Sequence, residues 1–163
     1  VKALTSYNDS HIYRLWEHES IGRYSSHLFR SIQIYLAKEL GPYGIGSGQF
    51  PFMMLLLHCD GIKQEELASS LSYDRATITR SMNRLEEIGY VTRERDPDDK
   101  RAYIVRLTKK GRSMENVFME ISSRLNDLLM SGFTEAEAAS FISMLMRAGE
   151  NISAENNIRK LSK

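Results

Sequence analysis

KQEELASSLSYDRATITRSMNRLEEIGYVTRERDPDDKRAYIVRL, residues 63–107, changes its repeat partway along. Up to Ile88 the apolar residues recur at helical steps, and the pattern predicts two short helices, Lys63–Leu71 and Asp74–Ile88. Only Ser72-Tyr73 separates them, which leaves room for nothing but a sharp helix-to-helix turn. After Gly89 the period changes. Tyr90–Arg93 and Ala102–Leu107 are rich in β-branched and aromatic residues, and Asp96-Pro97-Asp98-Asp99-Lys100-Arg101 between them supplies turn chemistry. The second part therefore reads as a charged β-hairpin.

Helix, tight turn, helix and a hairpin with a basic tip is the order of a winged helix-turn-helix, whose second helix enters the DNA major groove. The residues fit that order. Ala68 falls where the first helix must be small to let the second approach, Leu71 and Ile78 supply apolar contacts, and Ser72 stands where glycine is commonest. At about 100° per residue, Ile78, Met82 and Leu85 point inward and Ala76, Arg80, Asn83 and Glu87 outward, flanked by Thr79 and Arg84. Arg75, Ala76 and Thr77 occupy the first turn, where a docked helix reaches base edges; arginine suits guanine's two acceptors and a threonine methyl suits thymine. The candidate base-reading set is thus Arg75, Ala76, Thr77, Thr79, Arg80, Asn83 and Arg84. Residues of these types would also serve as an ordinary solvated face.

Charge separates the two readings. Residues 75–112 hold 11 Lys and Arg against 6 Asp and Glu, net +5, while the remainder of the chain is net −4. The overall charge of +1 hides a polarised molecule. Local asymmetry of this kind is what phosphate neutralisation requires.

On either side the sequence is helical. Ser20–Leu40 spaces Ile21, Tyr24, Leu28, Ile32, Tyr35 and Leu36 by threes and fours before Gly41-Pro42 stops the helix. Ile12, Leu15 and Trp16 suggest a separate short helix upstream. Gln49–His58 reads as a helix with Pro51 in its first turn, where the missing amide hydrogen does no harm. Thr108 can cap a helix running to about Met130, with Met114, Val117, Phe118, Ile121, Leu125 and Leu128 on one face. Thr134 and Glu137 have capping-box spacing ahead of a last helix carrying Phe141, Ile142, Leu145 and Met146.

At 163 residues the chain has the length of about one domain and can bury a core without disulfides or metals. Its apolar run Phe50–Leu57 is far shorter than the roughly 20 residues of a membrane helix, and the N-terminal residues lack a basic stretch leading into an apolar block, so neither a membrane span nor a secretory signal is expected. The single cysteine, Cys59, cannot form an internal disulfide, and a cytoplasmic location is expected. Cys59 has no neighbouring Lys or Arg to stabilise a thiolate and reads as a quiet structural thiol. His11, His18, His27 and His58 are scattered; His11 and His18 with Glu17 could bind a metal adventitiously, and no metal or cofactor site is assigned. Gly44-Ile45-Gly46-Ser47-Gly48 lacks the Gly-Lys-Ser/Thr ending of a phosphate loop. No nucleophile with its base, and no pair of acids in a recognisable setting, points to an enzyme.

The run Leu85-Glu86-Glu87-Ile88-Gly89-Tyr90-Val91, then Arg93, then Asp96-Pro97-Asp98-Asp99-Lys100-Arg101-Ala102, and Leu107-Thr108 with Gly111, resembles the signature of the multiple antibiotic resistance regulator (MarR) family. The likeness is densest over residues 47–112. It implies a mainly α (α+β) fold, a winged helix-turn-helix with long N- and C-terminal dimerisation helices. On this pattern residues 1–163 form a single MarR-like domain, with a winged lobe at 47–107 and a dimerisation lobe from 1–46 and 108–163. The resemblance further implies a homodimeric transcription regulator, usually a repressor relieved by a small molecule or an oxidant. Arg101 matches the family's wing arginine that enters the minor groove, and Asp99 the acidic residue that orients it. A guanidinium at a narrow tip suits the negative minor groove of an A-tract. Arg95 and Lys100 are expected to contact phosphates.

One recognition helix reads only a few base pairs, so a dimer presenting two helices about 34 Å apart to a roughly palindromic duplex is expected. The partners expected are therefore double-stranded DNA, a second copy of the chain, and a small lipophilic or phenolic effector. Trp16, Tyr24, Tyr35, Phe52 and Met53 are the candidate effector-pocket residues, as aromatic and Met side chains that could equally be core. The alternative is a winged-helix module for protein–protein association, which would bind DNA weakly and with little response to salt.

Overall fold

The computed structural model describes residues 20–161 and gives side-chain surroundings up to residue 154. Trp16, His11, His18 and Glu17, with the upstream helix suggested by Ile12 and Leu15, lie outside the described residues. The described chain forms two compact units, one ending at Ile121 and one beginning at Ser122.

In the first unit, α1 (Ile21–Leu40) ends where Gly41-Pro42 turns the chain into a 3-10 turn, Gly41–Tyr43. Its apolar stripe is covered increasingly toward the C-terminal end: Ile21 and Tyr24 are exposed, Leu28, Ile32 and Tyr35 half-buried, and Leu36 buried with Leu40, while Phe29 and Ile34 outside the stripe are exposed. A second 3-10 turn, Ser47–Gln49, leads into α2 (Phe50–His58), which carries Pro51 in its first turn as expected. Phe52, Met53 and Leu56 of α2 are fully buried, and Phe50 stacks on Phe118 at 5.3 Å between ring centres.

The helix-turn-helix follows as α3 (Gln64–Ser70) and α4 (Arg75–Glu87). Ser72 takes a left-handed conformation, φ 56°, to make the turn, and the amide of Tyr73 donates to the Ala68 carbonyl at 3.0 Å. Leu67 and Ala68 from α3 and Ile78, Met82 and Leu85 from α4 are buried together in the core of this unit. The hairpin consists of β2 (Val91–Arg95) and β3 (Tyr103–Leu107), antiparallel with Val91 opposite Leu107 and Arg95 opposite Tyr103. A third strand not foreseen from sequence, β1 (Ile62–Lys63), pairs with the other side of β3, giving the order β1-β3-β2.

The single helix expected from Thr108 to about Met130 is instead two. Thr108 does cap, its Oγ1 accepting from the Gly111 amide at 3.0 Å, but α5 (Lys109–Arg112) stops after one turn and α6 (Glu115–Leu129) restarts. The Ser113 hydroxyl takes the Lys110 carbonyl at 2.8 Å, and the Met114 amide tightens onto Gly111 at 3.2 Å. A side chain competing for a helix carbonyl breaks the regular ladder at that point.

The second unit contains the end of α6, a turn at Gly132 (φ 86°), and α7 (Glu135–Leu161). The capping box forms as its spacing predicts: the Thr134 amide donates to the Glu137 carboxylate at 2.8 Å, and the Glu137 amide to Thr134 Oγ1 at 3.3 Å. Phe133 and Phe141 pack at 5.7 Å, while Ile142, Met144, Leu145 and Met146 are exposed.

Candidate nucleic-acid interface

The first turn of α4 is built by Asp74. Its carboxylate accepts from the Thr77 amide at 2.8 Å and the Thr77 hydroxyl at 2.7 Å, satisfying an amide that helix geometry leaves unpaired. These bonds, the hydroxyl's first, hold the Asp74 carboxyl below its ordinary range. Thr77 Oγ1 in turn accepts from the Arg80 guanidinium at 3.2 Å. Asp74, Thr77 and Arg80 thus form a chain that sets the direction of Arg80 on the exposed face.

The other candidates on this helix divide by what already holds them. Ala76 and Asn83 are exposed, and Thr77 is half-buried. Thr79 Oγ1 donates to the Arg75 carbonyl at 2.7 Å and accepts from Gln64 at 3.4 Å, so its hydroxyl serves the helix pair. Arg75 is 87% exposed and pairs with Glu65 of α3 at 2.9 Å, a contact that water and salt weaken. Arg84 pairs with Glu87 at 2.8 Å along the same helix. Ile88 and Gly89, past the helix end, give their carbonyls to Lys110 Nζ at 2.7 Å and Thr108 Oγ1 at 2.7 Å. A cation there suits the negative end of the helix dipole.

The wing turn is internally bonded. The Asp96 amide donates to the Ala102 carbonyl at 3.1 Å, the Ala102 amide to Asp99 O at 2.9 Å, and the Asp98 amide to Asp96 Oδ1 at 2.9 Å. Asp99 Oδ1 accepts from the backbone amide of Arg101 at 2.9 Å. Asp99 therefore fixes the backbone on which Arg101 is mounted. Arg95, expected at phosphates, is first committed to the wing: it donates to the Lys100 carbonyl at 2.8 Å and lies over the Tyr103 ring at 4.2 Å. Lys100 and Arg101 are exposed, and among the described residues neither side chain has an ion-pair partner.

Three anchors of the wing escaped the sequence reading. Arg93 is held by Glu86 in a two-pronged ion pair, with Nε at 3.0 Å and Nη2 at 2.5 Å, tying β2 to the end of α4. Asp60 accepts from the Leu107 amide at 2.8 Å and pairs with Arg112. Asp96, 2% exposed, pairs with Lys63 of β1 at 2.7 Å. Lys63 holds the Asp96 carboxyl below the usual range, and Asp96 raises the Lys63 ammonium above its own. Spacing gives no signal for these pairs, because each joins elements that only the folded sheet brings together.

The effector candidates within the described residues differ in exposure. Phe52 and Met53 are fully buried core residues, Tyr35 is half-buried on α1, and Tyr24 is exposed. Cys59, read as a structural thiol, is exposed at the end of α2. Among the described residues no group of three His, Cys, Asp or Glu could hold a metal, and no helix is long and apolar enough to cross a membrane.

A tight helix-turn-helix followed by an internally hydrogen-bonded basic hairpin is the arrangement of a winged helix-turn-helix DNA-binding protein. The MarR family model matches residues 45–103. A MarR transcriptional regulator from Methanosarcina mazei Go1 is 42% identical with a TM-score of 0.76, covering 82% of this chain and 96% of that one. The uncharacterized HTH-type transcriptional regulator YdgJ of Bacillus subtilis is 33% identical over 115 residues, 71% of this chain and 68% of the relative. A Listeria monocytogenes protein solved in complex with a 26mer DNA is 25% identical with a TM-score of 0.78, covering 85% of this chain and 92% of that one. The chain belongs to the MarR family, and it is a DNA-binding transcription regulator.

Proposed function

We propose that the protein works as a homodimer that represses transcription from a pseudo-palindromic operator in the cytoplasm and is released by a small lipophilic or phenolic effector. The observation that carries the DNA-reading part is the pair Arg80 and Arg101. Both are exposed; the side chain of Arg80 is directed by Thr77, and the backbone that carries Arg101 is fixed by Asp99, which places that arginine at the wing tip. Arg80, with Ala76 and Asn83, meets base edges in the major groove; Arg101 enters the flanking minor groove, and Lys100 meets phosphate. Arg75 joins them by exchanging Glu65 for the duplex.

Pairing is supported by the large apolar residues left uncovered in the protomer, Ile21, Phe29 and Ile34 on α1 and Ile142, Met144, Leu145 and Met146 on α7. The effector reading rests on the family resemblance, and among the described candidates Tyr24 and Tyr35 are those that solvent can reach. An effector acts only through unequal affinity for the DNA-bound and free arrangements of the dimer.

Selection of duplexes from a random-sequence pool tests the proposal. Enrichment of an inverted repeat with half-sites about 10 bp apart, centre to centre, is expected. Recovery of unrelated sequences, or of an unrepeated half-site, would overturn it.

A further inference from the structure

Asp96 is one of two buried polar or charged side chains among the described residues, the other being Ser81. A carboxylate in that position is costly unless each oxygen is compensated. Oδ1 accepts from the Asp98 amide at 2.9 Å, and Oδ2 faces Lys63 Nζ at 2.7 Å. The first bond closes the wing turn. The second reaches across the sheet: Lys63 lies on β1, Asp96 follows the end of β2, and β3 runs between them.

The location of Lys63 gives the pair its meaning. It immediately precedes α3, and its neighbour Gln64 donates to Thr79 of the recognition helix at 3.4 Å. Two consecutive residues therefore hold the two DNA-reading elements, Lys63 the wing turn and Gln64 the helix. Glu86 and Arg93 also join α4 to β2, but Arg93 lies in the middle of that strand, opposite Val105, well below the tip. Asp60 holds Leu107 at the end of β3 far from the turn, and β1 pairs with β3 as far as Ile104, so of these ties Lys63–Asp96 is the one that reaches the turn itself. For stability alone, an apolar residue would fill the position of Asp96 as well as a buried ion pair does.

We propose that Lys63 and Asp96 form a strut that aims the wing, making both positioning residues for Arg101. The inference rests on the reading of Arg101 as a DNA contact. Lys63 is 45% exposed on its side chain, so a rival role as a direct phosphate contact has to be separated from it. The two roles predict opposite effects at Asp96. If Lys63 met phosphate, D96N would release it and binding would tighten or stay level. If the pair aims the wing, D96N weakens binding.

The experiment is a set of anisotropy titrations on the duplex recovered by selection, using wild type, K63M, D96N, K63R and R101A, with K63M and D96N also placed in the R101A background. Thermal melting of each variant accompanies the titrations. K63M and D96N are expected to weaken binding about tenfold in wild type and less than about twofold when Arg101 is absent, because residues that act through one another are not additive. K63R should restore most of the affinity. Losses of equal size in both backgrounds would overturn the strut, marking either a phosphate contact or a general loss of folding that the melts report. Failure of D96N to fold shifts the decision to K63M, which alters a partly exposed side chain. If R101A itself binds as wild type does, the reading of the wing fails and the strut with it. If R101A weakens binding while K63M does not, only the strut fails.

Discussion

Replacing Gly111 by alanine sets two effects of known size against each other. Gly111 is helical and buried in α5, and on helix propensity alone alanine there should stabilise by about 1 kcal/mol. A Cβ at this position, however, would lie 2.2 Å from the Tyr90 carbonyl oxygen and 3.0 Å from a Leu107 methyl. Real Cβ atoms essentially never approach below 3.0 Å, so backbone must give by about 0.8 Å. The Tyr90 carbonyl cannot retreat freely, since it accepts from the Thr108 amide at 3.0 Å and lies beside β2. Overpacking of this kind costs about 1–3 kcal/mol, and loss of the Thr108 bond about 1 more. Less the propensity gain, G111A should lose about 1–3 kcal/mol. G149A in α7, where nothing lies within 4 Å, keeps the propensity term alone and should gain up to about 1 kcal/mol. Urea denaturation at one fixed protein concentration measures both. A G111A protein as stable as wild type would mean that the Tyr90 carbonyl moves aside without cost.

Other substitutions test the same physical account. S72G should stabilise by about 0.5 kcal/mol in the same denaturation assay, because glycine relieves the left-handed strain at φ 56° while adding freedom to the unfolded chain. E86Q should cost about 1–2 kcal/mol, as it breaks a two-pronged ion pair whose arginine is 18% exposed and whose glutamate is 39% exposed. The pH dependence follows from carboxyls held low: Asp96 by Lys63 and the Asp98 amide, Asp74 by Thr77, and Glu137 by Thr134. In acid the unfolded chain binds more protons than the native one at these groups, so their stabilisation is full above the ordinary values of 3.8 and 4.5 and is lost as pH falls below them. Lys63 has the opposite sign, its contribution holding below 10.5 and fading as pH rises beyond. Melting temperature should therefore drop below about pH 4.5, and a midpoint unchanged down to pH 3 would contradict the assignment.

What the sequence could reveal was what is encoded locally. The inward triplet Ile78, Met82 and Leu85 follows from helical spacing, and all three are buried. The hairpin follows from its residue types and the Asp-Pro-Asp-Asp turn, and the Thr134–Glu137 capping box from a three-residue step. β1 was illegible because two residues carry no period; Ile62 and Lys63 become a strand only when β3 offers an open edge. The break between α5 and α6 depends on the Ser113 hydroxyl choosing the Lys110 carbonyl, which the apolar stripe from Met114 to Leu128 does not record. Asp96 read as one more turn residue until the sheet placed Lys63 beside it. Resemblance supplied the positions of Asp99 and Arg101, and the structure adds the bond between the Asp99 carboxylate and the Arg101 amide.

The proposed function has the recognition helix and the wing grip one duplex together through Arg80 and Arg101. Its most direct test is the salt dependence of binding to the selected duplex for wild type, R80A and R101A. Wild-type affinity should fall linearly on a log–log scale, with a slope of about −0.9 for each phosphate neutralised. Each arginine removed should weaken binding by about 1–3 kcal/mol, R80A with altered base preference in the half-site and R101A in the flanks. Affinity that ignores both salt and these substitutions would contradict the account.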